Sequence, residues 1–139
     1  MPDPTDQPPV VPRDRLLIGG YAAAGLVVIG SLGPWSSVLG ISVAGTEGDG
    51  VITIALALLS AAGIYLTTSS DGEPPIKAHW VTVALASLCL LIAVVDVVDV
   101  AATEEVSPGW GLWLLLLSSI ALVLVSVRLL QRLRSARDR

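Results

Sequence analysis

Charge is scarce in this sequence. Asp, Glu, Lys and Arg make up 14% of its 139 residues, against about 25% in an ordinary soluble domain. Cysteine is scarcer: Cys89 is the one thiol, so no intrachain disulfide can form. A single thiol also cannot build a zinc site of the usual four-ligand kind. His79 is the one histidine, with no cysteine beside it, which leaves it without the second ligand a metal role needs. No nucleophile–base set, metal-ligand cluster or phosphate loop can be assembled from the motifs. The chain therefore reads as a non-enzyme with no catalytic residue, cofactor or metal.

Positive charge is missing from two long tracts. No Lys or Arg occurs between residues 16 and 76, or between residues 78 and 127. All eight basic residues are Arg13, Arg15, Lys77, Arg128, Arg132, Arg134, Arg137 and Arg139. What fills the tracts is apolar. Hydrophobic residues are 53% of the chain, and mean hydropathy is +0.78. A membrane-spanning helix needs about 20 mostly apolar residues, and a soluble helix needs a polar face that these stretches lack. The sequence predicts an all-α membrane protein with four transmembrane helices, at about residues 16–33, 51–68, 78–98 and 109–130. Residues 1–15 read as a disordered, proline-rich arm, since five prolines fall within the first twelve positions and such a segment cannot bury a core. Residues 131–139 read as a basic tail.

The basic residues also predict an orientation. Cytoplasmic flanks carry the excess of Lys and Arg. With four spans, both termini and the loop at Lys77 fall inside, and the loops at residues 33–50 and 99–109 fall outside. Aromatic residues favour both interfaces because their rings are amphipathic. Tyr21, Tyr65 and Trp80 are expected near the inner interface, and Trp35, Trp110 and Trp113 near the outer one. Arg13 and Arg15 before an apolar run resemble a signal peptide, but the preceding segment is acidic and proline-rich and no A-x-A-like site follows. Arg128, Arg132, Arg134 and Arg137 are placed to meet anionic lipid at about 1 kcal/mol each. Nucleic acid is not an expected partner of so short a basic segment.

The first outer loop, GPWSSVLGISVAGTEGDG, sets glycines among β-branched residues and predicts a hairpin or ordered re-entrant cap. Asp49 precedes the second apolar run as a candidate N-cap. Glu47 with Asp49 falls short of the oxygen ligands a calcium loop supplies. Ser107 and Pro108 match an N-cap followed by proline at the first position of the last helix. VAGTE at Val43–Glu47 resembles VAATE at Val100–Glu104, a weak sign of two duplicated helical hairpins.

Helices in lipid associate through small residues and interhelical hydrogen bonds. In the third span, Thr82, Ala86, Cys89, Ala93 and Asp96 fall at steps of four, three, four and three. This predicts a packing seam made of the small and polar residues of that helix, with Cys89 a buried small residue. Ionisable residues within spans are functional-site hypotheses by default. At about 1.5 Å per residue from Trp80, Asp96 lies about 24 Å along the helix, in the outer part of the bilayer. Asp99 falls one turn further, at the wetted end. Candidate partners for Asp96 are the indole N–H of Trp110 or Trp113, Ser118, loop backbone, or a residue of another protein.

The segment PWSSVLGISVAGTEGDG before an apolar helix, with GWGLWL later, resembles small four-helix membrane proteins of actinobacteria. One Lys against seven Arg, with abundant Ala, Val and Leu, fits a GC-rich genome. The resemblance covers about residues 13–130 and implies a bacterial plasma membrane, four spans and no assigned activity. The expected function is that of an accessory or stabilising subunit of a larger bacterial membrane complex, respiratory or envelope transport, with lipids and other membrane subunits or self-association as partners. Two alternatives stay open. One is an oligomeric channel or proton- or cation-coupled transporter using Asp96. The other is an envelope-ligand binding or sensory module acting through the outer loop Gly40–Gly50.

Overall fold

A computed structural model describes residues 13–38, 40–68, 76–104 and 106–137. Most of the expected proline-rich arm and residues 69–75 lie outside the described residues. Four helices run Arg13–Leu32 (α1), Gly50–Thr68 (α2), Ile76–Ala102 (α3) and Trp110–Arg137 (α4). Each is long and apolar enough to cross a membrane. Their 19 to 28 residues span about 28–42 Å at 1.5 Å per residue, against a hydrocarbon thickness of about 30 Å. α1 starts before the expected residue 16. α3 passes residue 98 and α4 passes residue 130, so much of the basic tail is helical. Nothing apolar is required there: once a helix is nucleated, each further residue adds a backbone hydrogen bond.

Each helix packs against two others, in the cyclic order α1–α2–α3–α4. The interior mixes large aliphatic side chains with small and hydroxyl-bearing ones, and Leu112, Leu115 and Leu122 are fully buried. Val27, Ala57, Ala86, Cys89, Ala93, Ser31, Thr53, Ser60 and Ser119 are fully buried. Ile18, Leu58, Leu66, Leu91, Val98, Leu117 and Leu124 face outward. Small and hydroxyl-bearing residues let backbones approach and bond across helices, while Leu and Val suit a lipid-like surround.

One end of the bundle carries a small three-stranded sheet, which adds a third strand to the expected hairpin. Its strands are Pro34–Val38 (β1), Ile41–Ala44 (β2) and Ser107–Pro108 (β3), in the order β2–β1–β3. β1 and β2 form an antiparallel hairpin in which Val38 faces Ile41, where the outer-loop glycines predict one. Gly40 takes φ +84° within its turn. Ser107 and Pro108 do not open α4. They pair with Ser37 and Ser36, and the helix starts at Trp110. A residue before proline is held out of the helical region, which suits a strand as well as an N-cap. Because β3 lies between α3 and α4, the sheet ties both loops at this end into a single cap.

A Cβ on Gly40 would meet nothing within 4 Å, so substitution there tests backbone conformation alone. Gly40→Val is expected to lower stability by about 1–2 kcal/mol, the cost of the left-handed region for an L-residue. Thermal unfolding in detergent, followed by circular dichroism, measures it.

Candidate functional site

The cap is seated by Trp35. Its indole N–H donates to the carbonyl of Gly30 at 3.0 Å, and the ring is only 7% exposed. Trp35 is thus not a ring at the bilayer interface, as its place after the first span suggests. It is a buried plug between Gly45 and the end of α1, because the hairpin folds back over it. The backbone around it closes through Gly45 N–H to Gly33 O at 3.0 Å and Gly109 N–H to Trp35 O at 2.7 Å. Glycine is required at both positions. A Cβ on Gly45 would run into the Trp35 indole, and one on Gly109 into the Pro34 carbonyl.

Beneath the cap, hydroxyls link α1 to α2. Ser31 Oγ and Thr53 Oγ1 lie 2.7 Å apart. One hydroxyl donates to the other, and the accepting one gives its own proton to a carbonyl of its helix, Val27 O for Ser31 or Gly50 O for Thr53. Asp49 sits at the N-cap position of α2, where its carbonyl accepts from Ile52 and Thr53. Asp49 also lines a pocket of about 260 Å³.

That pocket lies between the cap and the end of α3. Val43 and Ala44 of β2 border it, together with Glu47, Asp49, Asp96 and Asp99. Two loop acids and two helix acids therefore face one space. Asp96 is half-buried, and its Oδ2 is shielded from solvent with no hydrogen-bond partner. The candidates named from sequence do not meet that oxygen. Ser118 donates instead to Leu114 O and Leu115 O of its own helix, and the Trp110 and Trp113 rings are exposed. Among the described residues no three His, Cys, Asp or Glu side chains converge as metal ligands. The pocket is electronegative without being a metal cage.

The rest of the seam runs down α3. Ala86, Cys89 and Ala93 are fully buried and Thr82 nearly so. Cys89 Sγ lies 3.5 Å from Ser119 Oγ of α4, and Thr82 Oγ1 donates to Ala78 O at 3.2 Å. Sequence reasoning missed Ser31, Thr53 and Ser119. Their signal was available, since a hydroxyl inside an apolar run is a candidate interhelical bond. Because Cys89 is 0% exposed, maleimide is expected to label it only after the bundle is unfolded. Labelling of the native protein in detergent within minutes would contradict this packing.

The opposite end of the bundle is basic. Trp80, at the start of α3, lies beneath Arg134 of α4, with the guanidinium carbon 5.0 Å from the ring centroid. This cation–π contact clips the two helices together. Arg128, Arg132 and Lys77 are exposed, and Arg137 falls in the last turn of α4. Tyr21, Tyr65, Trp80, Trp110 and Trp113 are all exposed on the bundle surface. The two segments that read alike differ in form. Val43 and Ala44 end a strand and Gly45–Glu47 form a 3-10 turn, whereas Val100 and Ala102 close a helix.

The fold is that of a four-helix chain whose surface is compatible with a multi-pass membrane protein. No protein family, curated protein or solved structure matches it.

Proposed function

We propose that the protein is a non-catalytic, multi-pass subunit of a bacterial plasma membrane, with both termini in the cytoplasm, that docks a partner through its capped outer end. The cap is the observation that carries this reading. Two loops are knitted into one ordered platform around a buried Trp35, more structure than a connection between spans requires. The charge asymmetry supports the orientation, with every Lys and Arg at the uncapped end or beyond it and acids alone at the capped end. The bundle interior is filled by side chains from all four helices, which favours a binding role over conduction through a single subunit. Kinship with the small four-helix proteins of actinobacteria belongs to the same proposal.

The test is extraction of the tagged full chain, at native expression level, in mild detergent. A partner held at fixed stoichiometry is expected, and it should be lost when residues 40–50 are replaced by a neutral linker. A chain that purifies repeatedly as a lone monomer overturns the reading.

A second reading has its own support in Asp96, whose unpartnered oxygen borders the pocket. Here an oligomer would use Asp96 to handle protons or cations. Flux into proteoliposomes that is unchanged by Asp96→Asn would exclude it.

A further inference from the structure

β2 is an edge strand. It pairs with β1 on one side, and among the described residues no strand covers the other. Ile41 is 73% exposed and Val43 37%. An uncovered edge presents backbone N–H and C=O groups as a template for a further strand, and natural proteins usually blunt such edges with Lys, Pro or bulky cover. Ile41–Ala44 carries neither Lys nor Pro, and its four-residue length limits how long an added strand can be.

The acidic pocket begins where this edge ends, for Val43 and Ala44 border both. A strand added alongside β2 would carry its alternate side chains past the pocket mouth. The volume, about 260 Å³, falls below the ~300–1,000 Å³ of small-molecule sites and suits a single long side chain. Four acidic residues line it, and the chain supplies no Lys or Arg between residues 16 and 76 or 78 and 127 to answer them. The acids do not converge as metal ligands, so an inorganic cation is poorly served. A second copy of this chain would bring like charge against like charge.

We infer that the β2 edge and the adjoining pocket receive an extended, basic segment of a partner protein, which adds a strand to the cap and places a Lys or Arg side chain between Asp96, Asp99 and the loop acids. Main-chain bonds to β2 supply the docking and the pocket selects the side chain, the division of labour found in strand addition. The inference rests on the reading of the cap as the partner-facing surface and names the chemistry of what it takes.

The test uses the full chain in zwitterionic phosphatidylcholine nanodiscs, where anionic lipid does not compete. The probes are fluorescent hexapeptides that alternate valine with arginine, the same peptides with glutamate for arginine, and arginine peptides N-methylated at alternate residues. Binding of the arginine peptide is expected, weakening as salt is raised. The glutamate and N-methylated peptides should each bind at least about tenfold more weakly. Asp99→Asn should weaken the arginine peptide several-fold, and Asp96→Asn with Asp99→Asn about tenfold. Glu104→Gln, exposed and outside the pocket lining, should leave it unchanged.

Equal binding of the N-methylated peptide, equal loss on Glu104→Gln, or no binding of the arginine peptide overturns the inference. So does a nitroxide at position 41, in a Cys89→Ser chain, that reports lipid or a second copy rather than water. If the peptides fail while a partner still co-purifies at fixed stoichiometry, the chemistry proposed here is wrong and the subunit reading stands.

Discussion

Replacing Trp35 by alanine is expected to destabilise the protein more than any other single truncation in the cap, by about 3–5 kcal/mol, the range for deleting a large buried aromatic. The ring is 7% exposed and sits against Gly45 and the end of α1. Most of the loss is the cavity left behind. The bond from the indole to Gly30 O contributes about 1 kcal/mol, near the mean for a neutral hydrogen bond. Its loss is softened because Gly30 O also accepts from Gly33 N–H at 3.2 Å. Trp35→Phe separates the two parts, since it keeps most of the ring and removes the donor, and should cost about 1–2 kcal/mol. Hydrogen exchange locates the damage. The amides of Gly45 and Gly109, which close the backbone around the ring, should lose protection first. A Trp35→Ala protein within about 1 kcal/mol of the parent would mean that the ring does not seat the cap.

The spans were legible because each helix is apolar all round, a signal that survives without knowing its neighbours. Their ends were less so. α3 runs through Asp99 to Ala102, and a sequence reading that stops where acids begin loses that last turn. The hairpin could be read from glycine punctuating β-branched residues. The third strand could not, since Ser107–Pro108 is equally good as a helix cap. The burial of Thr82, Ala86, Cys89 and Ala93 follows a helical step that any sequence displays. Trp35 is the instructive miss. A tryptophan one turn past a span suggests an interfacial anchor, and only the fold of the following hairpin turns it inward. The pocket was equally hidden, because Glu47 and Asp49 lie some fifty residues from Asp96 and Asp99 in the chain. Only the cap brings the four acids together.

The capped end also explains how acids so close can be tolerated. Asp99, Glu47 and Asp49 are exposed and Asp96 half-buried, so none of the four acids is fully removed from solvent. Asp96 Oδ2, shielded and unpartnered, is the atom with most to gain from an incoming donor. A cap that is rigid before binding spends little on ordering when it binds, and the glycine-packed backbone around Trp35 provides that rigidity.

The same close packing makes alanine a disruptive residue at two helical glycines where it ordinarily helps. Gly→Ala inside a helix normally gains up to about 1 kcal/mol. At Gly30 a Cβ would lie 2.7 Å from Leu115 N and 2.9 Å from Gly111 O. At Gly111 it would lie 2.8 Å from Gly30 O and 2.9 Å from the Cα of Gly33. These neighbours are backbone, so no rotamer change can relieve the clash, and α1 and α4 must move apart. Each Gly→Ala is expected to cost about 1–3 kcal/mol, the usual penalty for overpacking, and Gly→Leu at either site more. Because both residues serve one contact, the double alanine variant should cost less than the sum of the singles. Gly25 provides the control. It lies in the same helix as Gly30, but a Cβ added there would meet nothing within 4 Å, so Gly25→Ala should be neutral or slightly stabilising. Unfolding of these variants in mixed micelles of increasing SDS content measures each of the effects. Should Gly111→Ala match the parent while Gly25→Ala weakens it, the approach of α1 to α4 is not what holds the capped end together.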